Sequence, residues 1–189
     1  MIFEKSETLQ SLINAFAGES QSRNKYTMYA KIAAKEGFKI IEEVFMETAE
    51  NEREHAKLFY KEIPNGFYSP NAKYPFFAGT TYENLISSAA AERDEWENIY
   101  KSSAQIAKSE GYEDISRLFL NISDIEKRHS HRFTTLAEKI QTDSLYKKDE
   151  ISQWICTNCG YTHIGKEPPC LCPVCKHEQK YFKIFNEKF

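Results

Sequence analysis

Apolar residues recur every three or four positions from Ser6 to Glu36, at Leu9, Leu12, Ile13, Phe16, Tyr26, Tyr29, Ala30 and Ala33, with no proline among them. That is the spacing of one long amphipathic helix. Gly37 interrupts it, and the pattern resumes at Phe38, running through Ile41, Val44, Phe45, Thr48, Ala49, Ala56, Phe59 and Ile63 to Pro64. Two antiparallel helices are expected. Residues 64–79 hold three prolines, two glycines and five aromatics, so they predict an ordered but non-helical connection. A third helix over Thr81–Glu110 and a fourth from Tyr112 to about Gln141 follow, divided by Gly111.

Helices of roughly thirty residues run about 40–45 Å, and a connection of this length, at up to ~3.3 Å per residue, can cross that distance. The pattern therefore predicts a mainly α fold: a ferritin-like four-helix bundle with a long crossover between helices 2 and 3. Residues 1–145 are assigned to the bundle, 146–152 to a polar linker and 153–189 to a small cysteine-bearing domain, which is too short to fold readily without a metal.

The two hairpins resemble each other. Residues 11–19 (SLINAFAGE) align with 84–92 (NLISSAAAE), pairing Glu19 with Glu92, while Glu52 and His55 pair with Glu126 and His129. Glu19 to Gly37 is one residue shorter than Glu92 to Gly111, so the third helix carries an insertion. A looser connection near the glycine could absorb it. The sharper expectation is a single π turn between Glu92 and Ala107, which rotates the downstream helix by about 100°.

Each hairpin contains Glu-x-x-His, a carboxylate and an imidazole on one helix face. One such motif is weak evidence in a chain rich in glutamate. Two at equivalent places, with Glu19 and Glu92 on the partner helices, reproduce the carboxylate pattern of di-metal four-helix bundles. Small residues, Ala15, Ala17 and Gly18 before Glu19 and Ala89–Ala91 before Glu92, leave room between helices. Buried carboxylates without counter-charge are costly, and two divalent cations remove that cost. Glu95 lies one turn past Glu92, where the first hairpin has Ser22, so the site is expected to be asymmetric. Hard oxygen and imidazole donors suit iron or manganese, and redox work favours iron.

The five cysteines all fall between residues 156 and 175, a crowding that suits a metal better than disulfides. Cys156-x-x-Cys159 and Cys172-x-x-Cys175 form two knuckles of a tetrahedral thiolate site, and spacing alone leaves zinc and iron about equally favoured. Cys170 is expected to be a spare thiol.

Composition narrows the class. The 189 residues are 41% hydrophobic and 28% charged with a net charge of -3, which argues for a globular protein and against a nucleic-acid partner. No stretch approaches the ~20 apolar residues of a membrane span and no targeting segment is evident at the N-terminus; a cytoplasmic location is expected, with no membrane partner.

On these motifs the chain resembles the rubrerythrins. Ala15–Gln21 with Arg23, Asn24 and Tyr26, and Glu50–Ala56, are similar to that family's first two signatures. The resemblance implies a carboxylate-bridged di-iron site in which Glu52 and Glu126 bridge, Glu19 and Glu95 serve one iron, and Glu92 and His129 serve the other. His55 would exchange with Glu95 as the first iron changes oxidation state. Tyr26 and Tyr100 match tyrosines standing behind the ligands, although plain core aromatics explain them as well. For Cys156, Cys159, Cys172 and Cys175 the resemblance favours a rubredoxin-like single iron over zinc. Lys176 stands where free-standing rubredoxins have glycine, and the segment between the knuckles is shorter than theirs.

The implied activity is peroxidase: hydrogen peroxide is reduced to water in oxidative-stress defence. Electrons would come from NADH through a separate donor protein such as a rubredoxin reductase, because the chain has no Gly-x-Gly-x-x-Gly nucleotide fingerprint. A head-to-tail homodimer is implied as the partner arrangement. The alternative is a ferroxidase or iron-handling ferritin-like protein with a zinc- or iron-held C-terminal module.

Overall fold

The computed structural model describes residues 2–185; the last four residues of the expected cysteine domain lie outside the described residues. Helix α1 (Glu7–Lys35) begins at Ser6, whose hydroxyl accepts the Leu9 amide at 3.1 Å, satisfying one of the free donors of a helix start. Helix α2 spans Lys39–Glu62. The second hairpin is α3 (Thr81–Asp94), a π turn (Glu95–Ile99) and α4 (Tyr100–Ser109), followed by α5 (Glu113–Gln141). Thr80 and Glu83 form a reciprocal capping box at the start of α3, which fixes where the crossover ends.

The duplication is visible in the backbone. Gly37 and Gly111 sit at φ +84° and +89°, and in each hairpin the following residue donates its amide to the last turn, Phe38 to Ala33 and Tyr112 to Ala107, both at 2.8 Å. A positive φ here is cheap only for glycine. The insertion in the second hairpin is taken up by the π turn, where the Tyr100 amide bonds the Glu95 carbonyl, as the unequal spacing predicts.

The crossover is strapped along α1. The Asn71 amide donates to Asn14 Oδ1 at 2.7 Å and the Tyr74 hydroxyl donates to the Asn14 carbonyl at 3.0 Å. Two apolar clusters fill the bundle. One contains Tyr26, Tyr29, Phe45 and Phe133; the other contains Leu12, Phe59, Tyr100 and Phe119. Each fully buried aromatic stabilises the fold by about 1.5–3 kcal/mol, so the polar layer between the clusters is held by rigid apolar floors.

The C-terminal module is a three-stranded antiparallel sheet, β1 (Ser152–Cys156), β2 (Thr162–Gly165) and β3 (Phe182–Ile184), ordered β2-β1-β3. Trp154 is fully buried, and its indole N–H donates to the Gly165 carbonyl at 3.0 Å. Trp154, Phe182, Cys156 and Cys172 continue the first apolar cluster of the bundle, together with Leu145 and Tyr146. The segment read as a linker is therefore anchored at its start. Lys183 pairs with Glu43 at 2.9 Å and Lys180 donates to the Glu36 carbonyl at 3.2 Å. No described helix is long and apolar enough to cross a membrane.

Candidate metal centres

Glu19 on α1, Glu52 and His55 on α2, Glu92 on α3, and Glu126 and His129 on α5 converge between the two apolar clusters. The four carboxylates are at most 1% exposed and both imidazoles are 5% exposed. Their donor atoms form two overlapping groups, Glu19–Glu52–His55–Glu126 and Glu52–Glu92–Glu126–His129, each with all atoms within 4.8 Å of one another. Glu52 and Glu126 belong to both.

The two halves have matching geometry. His55 Nδ1 lies 2.9 Å from Glu52 Oε2, 2.9 Å from Glu126 Oε1 and 3.7 Å from Glu19 Oε1. His129 Nδ1 lies 2.7 Å from Glu126 Oε2, 3.2 Å from Glu52 Oε1 and 3.7 Å from Glu92 Oε2. The rings stack with centroids 6.1 Å apart. Both tyrosines reach across to the opposite hairpin: Tyr26 hydrogen-bonds Glu92, and the Tyr100 hydroxyl meets Glu19 Oε1 at 2.5 Å. They are bonded to site carboxylates as well as packed in the core.

Electrostatics shows what the cluster lacks. Burial, then Glu52, Glu126 and Glu95, push the Glu19 carboxyl well above the usual range. Burial with Glu52 and Glu126 does the same to Glu92 against the opposing pull of His129. Glu126 is the exception: burial would raise it, but His129 and His55 hold it down at about 2. Burial depresses both imidazoles, yet Glu126 and Glu52 lift His55 to about 9, and with Glu92 they lift His129 to about 12. Two buried carboxylate oxygens, Glu19 Oε2 and Glu92 Oε2, have no hydrogen-bond partner, and Glu52 Oε1 and Glu126 Oε1 meet only the two imidazole nitrogens. Unpartnered buried oxygens with shared carboxylates between them fit two divalent cations, which supply the missing positive charge.

Sequence reasoning did not single out Asn51. Its Oδ1 lies 3.2 Å from His129 Nε2. An Nε2–H donated to this oxygen leaves the Nδ1 lone pair facing the carboxylates, the tautomer a metal needs. Its place next to Glu52 was the available signal. Glu95 lies outside both donor groups. Its carboxyl, half-buried, borders a cavity of about 390 Å³ lined also by Gly18, Lys25, Tyr74, Ala91 and Tyr100. Burial, then Glu92, Glu126 and Glu52, push it well above the usual carboxylate range, against Lys25.

The second centre is in the C-terminal module. Cys156, Cys159, Cys172 and Cys175 have their sulfurs within 4.8 Å of one another, with Cys156–Cys175 at 3.7 Å and Cys159–Cys172 at 3.6 Å. Four thiol sulfurs so placed fit one tetrahedral cation. Gly160 and Lys176, each following the second cysteine of a knuckle, have φ of +77° and +61°. The two turns are thus alike despite the lysine. The Tyr161 amide reaches Cys159 and the His177 amide reaches Cys175, holding the latter thiol down at about 5. Cys170 is exposed and outside the group.

A ferritin-like bundle with a duplicated carboxylate–imidazole site, joined to a rubredoxin-like four-cysteine module, is the class of protein this architecture defines. The rubrerythrin family model matches residues 10–137, with a second match over 83–152, and the rubrerythrin rubredoxin-like domain matches 154–183. Rubrerythrin-1 of Clostridium acetobutylicum is 42% identical, covering 97% of each chain. The solved structure of nigerythrin in its fully reduced, all-ferrous state is 29% identical with a TM-score of 0.65, covering 98% of this chain and 92% of that one. A bacterioferritin of Mycobacterium tuberculosis, 19% identical over 72% of this chain and 87% of its own, shares the bundle fold with a TM-score of 0.63. The chain belongs to the rubrerythrin family.

Proposed function

We propose that the protein is a non-haem di-iron peroxidase that reduces hydrogen peroxide to water, with electrons delivered through the four-cysteine centre. The observation carrying this reading is the pairing, in one chain, of a two-cation carboxylate site with a tetrahedral thiolate site. A thiolate-held iron exchanges single electrons. When bound, the two irons of the bundle supply the two electrons that peroxide reduction consumes.

Glu52 and Glu126 would be shared between the ions, Glu19 and His55 would hold one, and Glu92 and His129 the other. Tyr26 and Tyr100 fix the Glu92 and Glu19 carboxylates by hydrogen bonds from the opposite hairpin. Asn51 orients the His129 ring. The apolar floors keep bulk water from the ligand oxygens, while the cavity beside Glu95 and Tyr100 gives a small peroxide its route inward. With His55 in the cluster, the Glu95 carboxyl is free to hold a proton at the cavity floor. Peroxide reduction consumes two protons with its two electrons, and this carboxyl is placed to deliver one. Exchange of Glu95 for His55 during turnover is part of the same proposal.

The protein acts, in this reading, as a head-to-tail homodimer in the cytoplasm, supplied by NADH through a separate reductase. The test is anaerobic loading with ferrous iron, metal analysis, and peroxide consumption driven by NADH, a reductase and a rubredoxin. Two irons in the bundle, one in the module and donor-dependent loss of peroxide are expected. Iron accumulation beyond three per chain without peroxide turnover would instead assign a storage role.

A further inference from the structure

We infer that Ser123 is a positioning residue: its hydroxyl, reaching from α5 to the Trp96 carbonyl, holds the π turn in the register that places Tyr100 on Glu19. The assignment rests on the two-ion reading for its consequence at the metals, although the turn itself can be tested without them.

An inserted residue in a helix must go somewhere, and an i to i+5 turn disturbs the carbonyl partners around it. Here hydroxyls add donors to the carbonyls in and beside the turn. Ser123 Oγ donates to the Trp96 carbonyl at 3.1 Å, and Ser102 and Ser103 donate to the Ile99 carbonyl at 2.9 and 2.8 Å. The last two belong to the same helix and would follow the turn wherever it moved. Ser123 does not: it is 4% exposed on α5, one turn before Glu126, and therefore ties the turn to the helix that carries a shared carboxylate. The Trp96 ring is held too, with Lys101 and Lys127 ammonium groups 4.7 and 5.3 Å from its centroid.

The duplicated hairpin is an internal control. At the offset that relates Glu126 to Glu52, Ser123 corresponds to Ala49, which packs in a hairpin whose first helix is unbroken. Tyr26 lies seven residues after Glu19, but Tyr100 lies eight after Glu92. Both nevertheless bond the opposite carboxylate. Were the extra residue absorbed after Tyr100, the seventh position would fall to Ile99, which is 42% exposed, and Glu19 would lose its phenol. The turn has to stay between Glu92 and Tyr100, and Ser123 supplies a side-chain hydrogen bond from another helix to a carbonyl inside it.

Ser130 separates positioning from ordinary stability. It is also on α5, also 4% exposed, and donates to the Ala89 carbonyl at 2.9 Å; Ala89, however, lies in regular helix before Glu92. Amide exchange in the metal-free full-length protein and manganese(II) titration of its bundle should be measured for Ser123→Ala, Ser123→Thr and Ser130→Ala. Ser123→Ala should exchange amides 96–101 at least tenfold faster than wild type, and bind one of the two manganese ions at least tenfold more weakly, the one at the Glu19–His55 end. Ser123→Thr, which keeps the hydroxyl, should restore both. Ser130→Ala should leave both at wild-type values. Wild-type exchange at 96–101 in Ser123→Ala, or equal effects from Ser130→Ala, would overturn the assignment. If wild type binds no manganese pair, the two-ion reading fails, and the exchange data alone still decide whether Ser123 holds the turn.

Discussion

Stripping the divalent ions from the bundle should make its stability fall as pH rises, the reverse of the loaded protein. Glu19 and Glu92 are wholly buried, and burial with Glu52 and Glu126 holds both carboxyls far above the 4.5 at which they ionise when exposed. Above that pH the unfolded chain has released protons that the folded chain still binds, so the slope of stability against pH is negative. Each such carboxyl costs about 1.4 kcal/mol per pH unit while it stays neutral. While both stay protonated, the pair costs up to about 3 kcal/mol per pH unit. Glu95 adds in the same direction, against Lys25. His55, raised to about 9, stabilises fully below its ordinary 6.5 and loses that contribution as pH climbs to 9; His129, at about 12, behaves alike over a longer window. Glu126, held at about 2, has the opposite sign, but its window lies below 4.5. A loss of about 3 kcal/mol over one pH unit is a large share of the 5–15 kcal/mol of a whole domain and converts to roughly 6–12 °C in melting temperature. Cations bind the ionised carboxylates, so their affinity rises with pH, and each ion at a hundred times its Kd adds about 2.7 kcal/mol. The assay is thermal melting of the helical circular-dichroism signal from about pH 5 to about pH 8, in chelator and in manganese(II). A metal-free melting temperature that holds level or climbs over that range would refute the reasoning.

Glu52→Ala and Glu126→Ala should each abolish the pair of ions, because each carboxylate belongs to both donor groups; metal analysis returning two ions per bundle in either variant would contradict the shared-ligand assignment. Cys156→Ser should remove thiolate-to-iron absorption and donor-driven turnover while a chemically reduced bundle still consumes peroxide, and full donor-linked activity in this variant would show that electrons bypass the module. Mixing Cys156→Ser with Glu126→Ala chains should restore activity in heterodimers, whereas verified heterodimers without activity would argue for transfer within one chain. Trp154→Ala, which empties a fully buried site in the sheet, should cost about 3–5 kcal/mol and show as a lowered melting temperature of the module; an unchanged melt would mean that the cysteine centre alone holds it.

Much of this was legible because it is periodic. Helix positions follow from apolar spacing, and the site follows from duplication, which puts Glu19, Glu52, Glu92 and Glu126 at corresponding places without any coordinate. The π turn was legible for the same reason: an internal copy supplies the ruler against which one extra residue shows. What the sequence hid depends on contacts between segments far apart in the chain. Asn51 facing His129, Ser123 facing Trp96 and the burial of Tyr146 beneath the module have no periodic signature. Glu95 was readable as a candidate ligand, yet its position at the cavity, outside both donor groups, depends on the rotamer its side chain adopts.

Within the proposed electron path, the placement of the module favours transfer between chains over transfer within one. Cys175 borders a groove formed with Ala34, Glu36 and Gly37, at the end of α1, while Glu19 lies sixteen residues before the last residue of that helix, Lys35. At about 1.5 Å per residue, that separation is roughly 25 Å along the helix axis. Electron tunnelling weakens steeply over such a distance, so the module sits poorly for its own bundle. In the proposed head-to-tail dimer, a partner would reverse the order of the ends and bring one chain's cysteine knuckles toward the other chain's carboxylates. The tight anchoring of the module by Trp154, Phe182 and the Lys183–Glu43 pair then has a purpose. A module free to swing on its linker could serve its own site at intervals, but a fixed one could serve only the site that the proposed dimer would present.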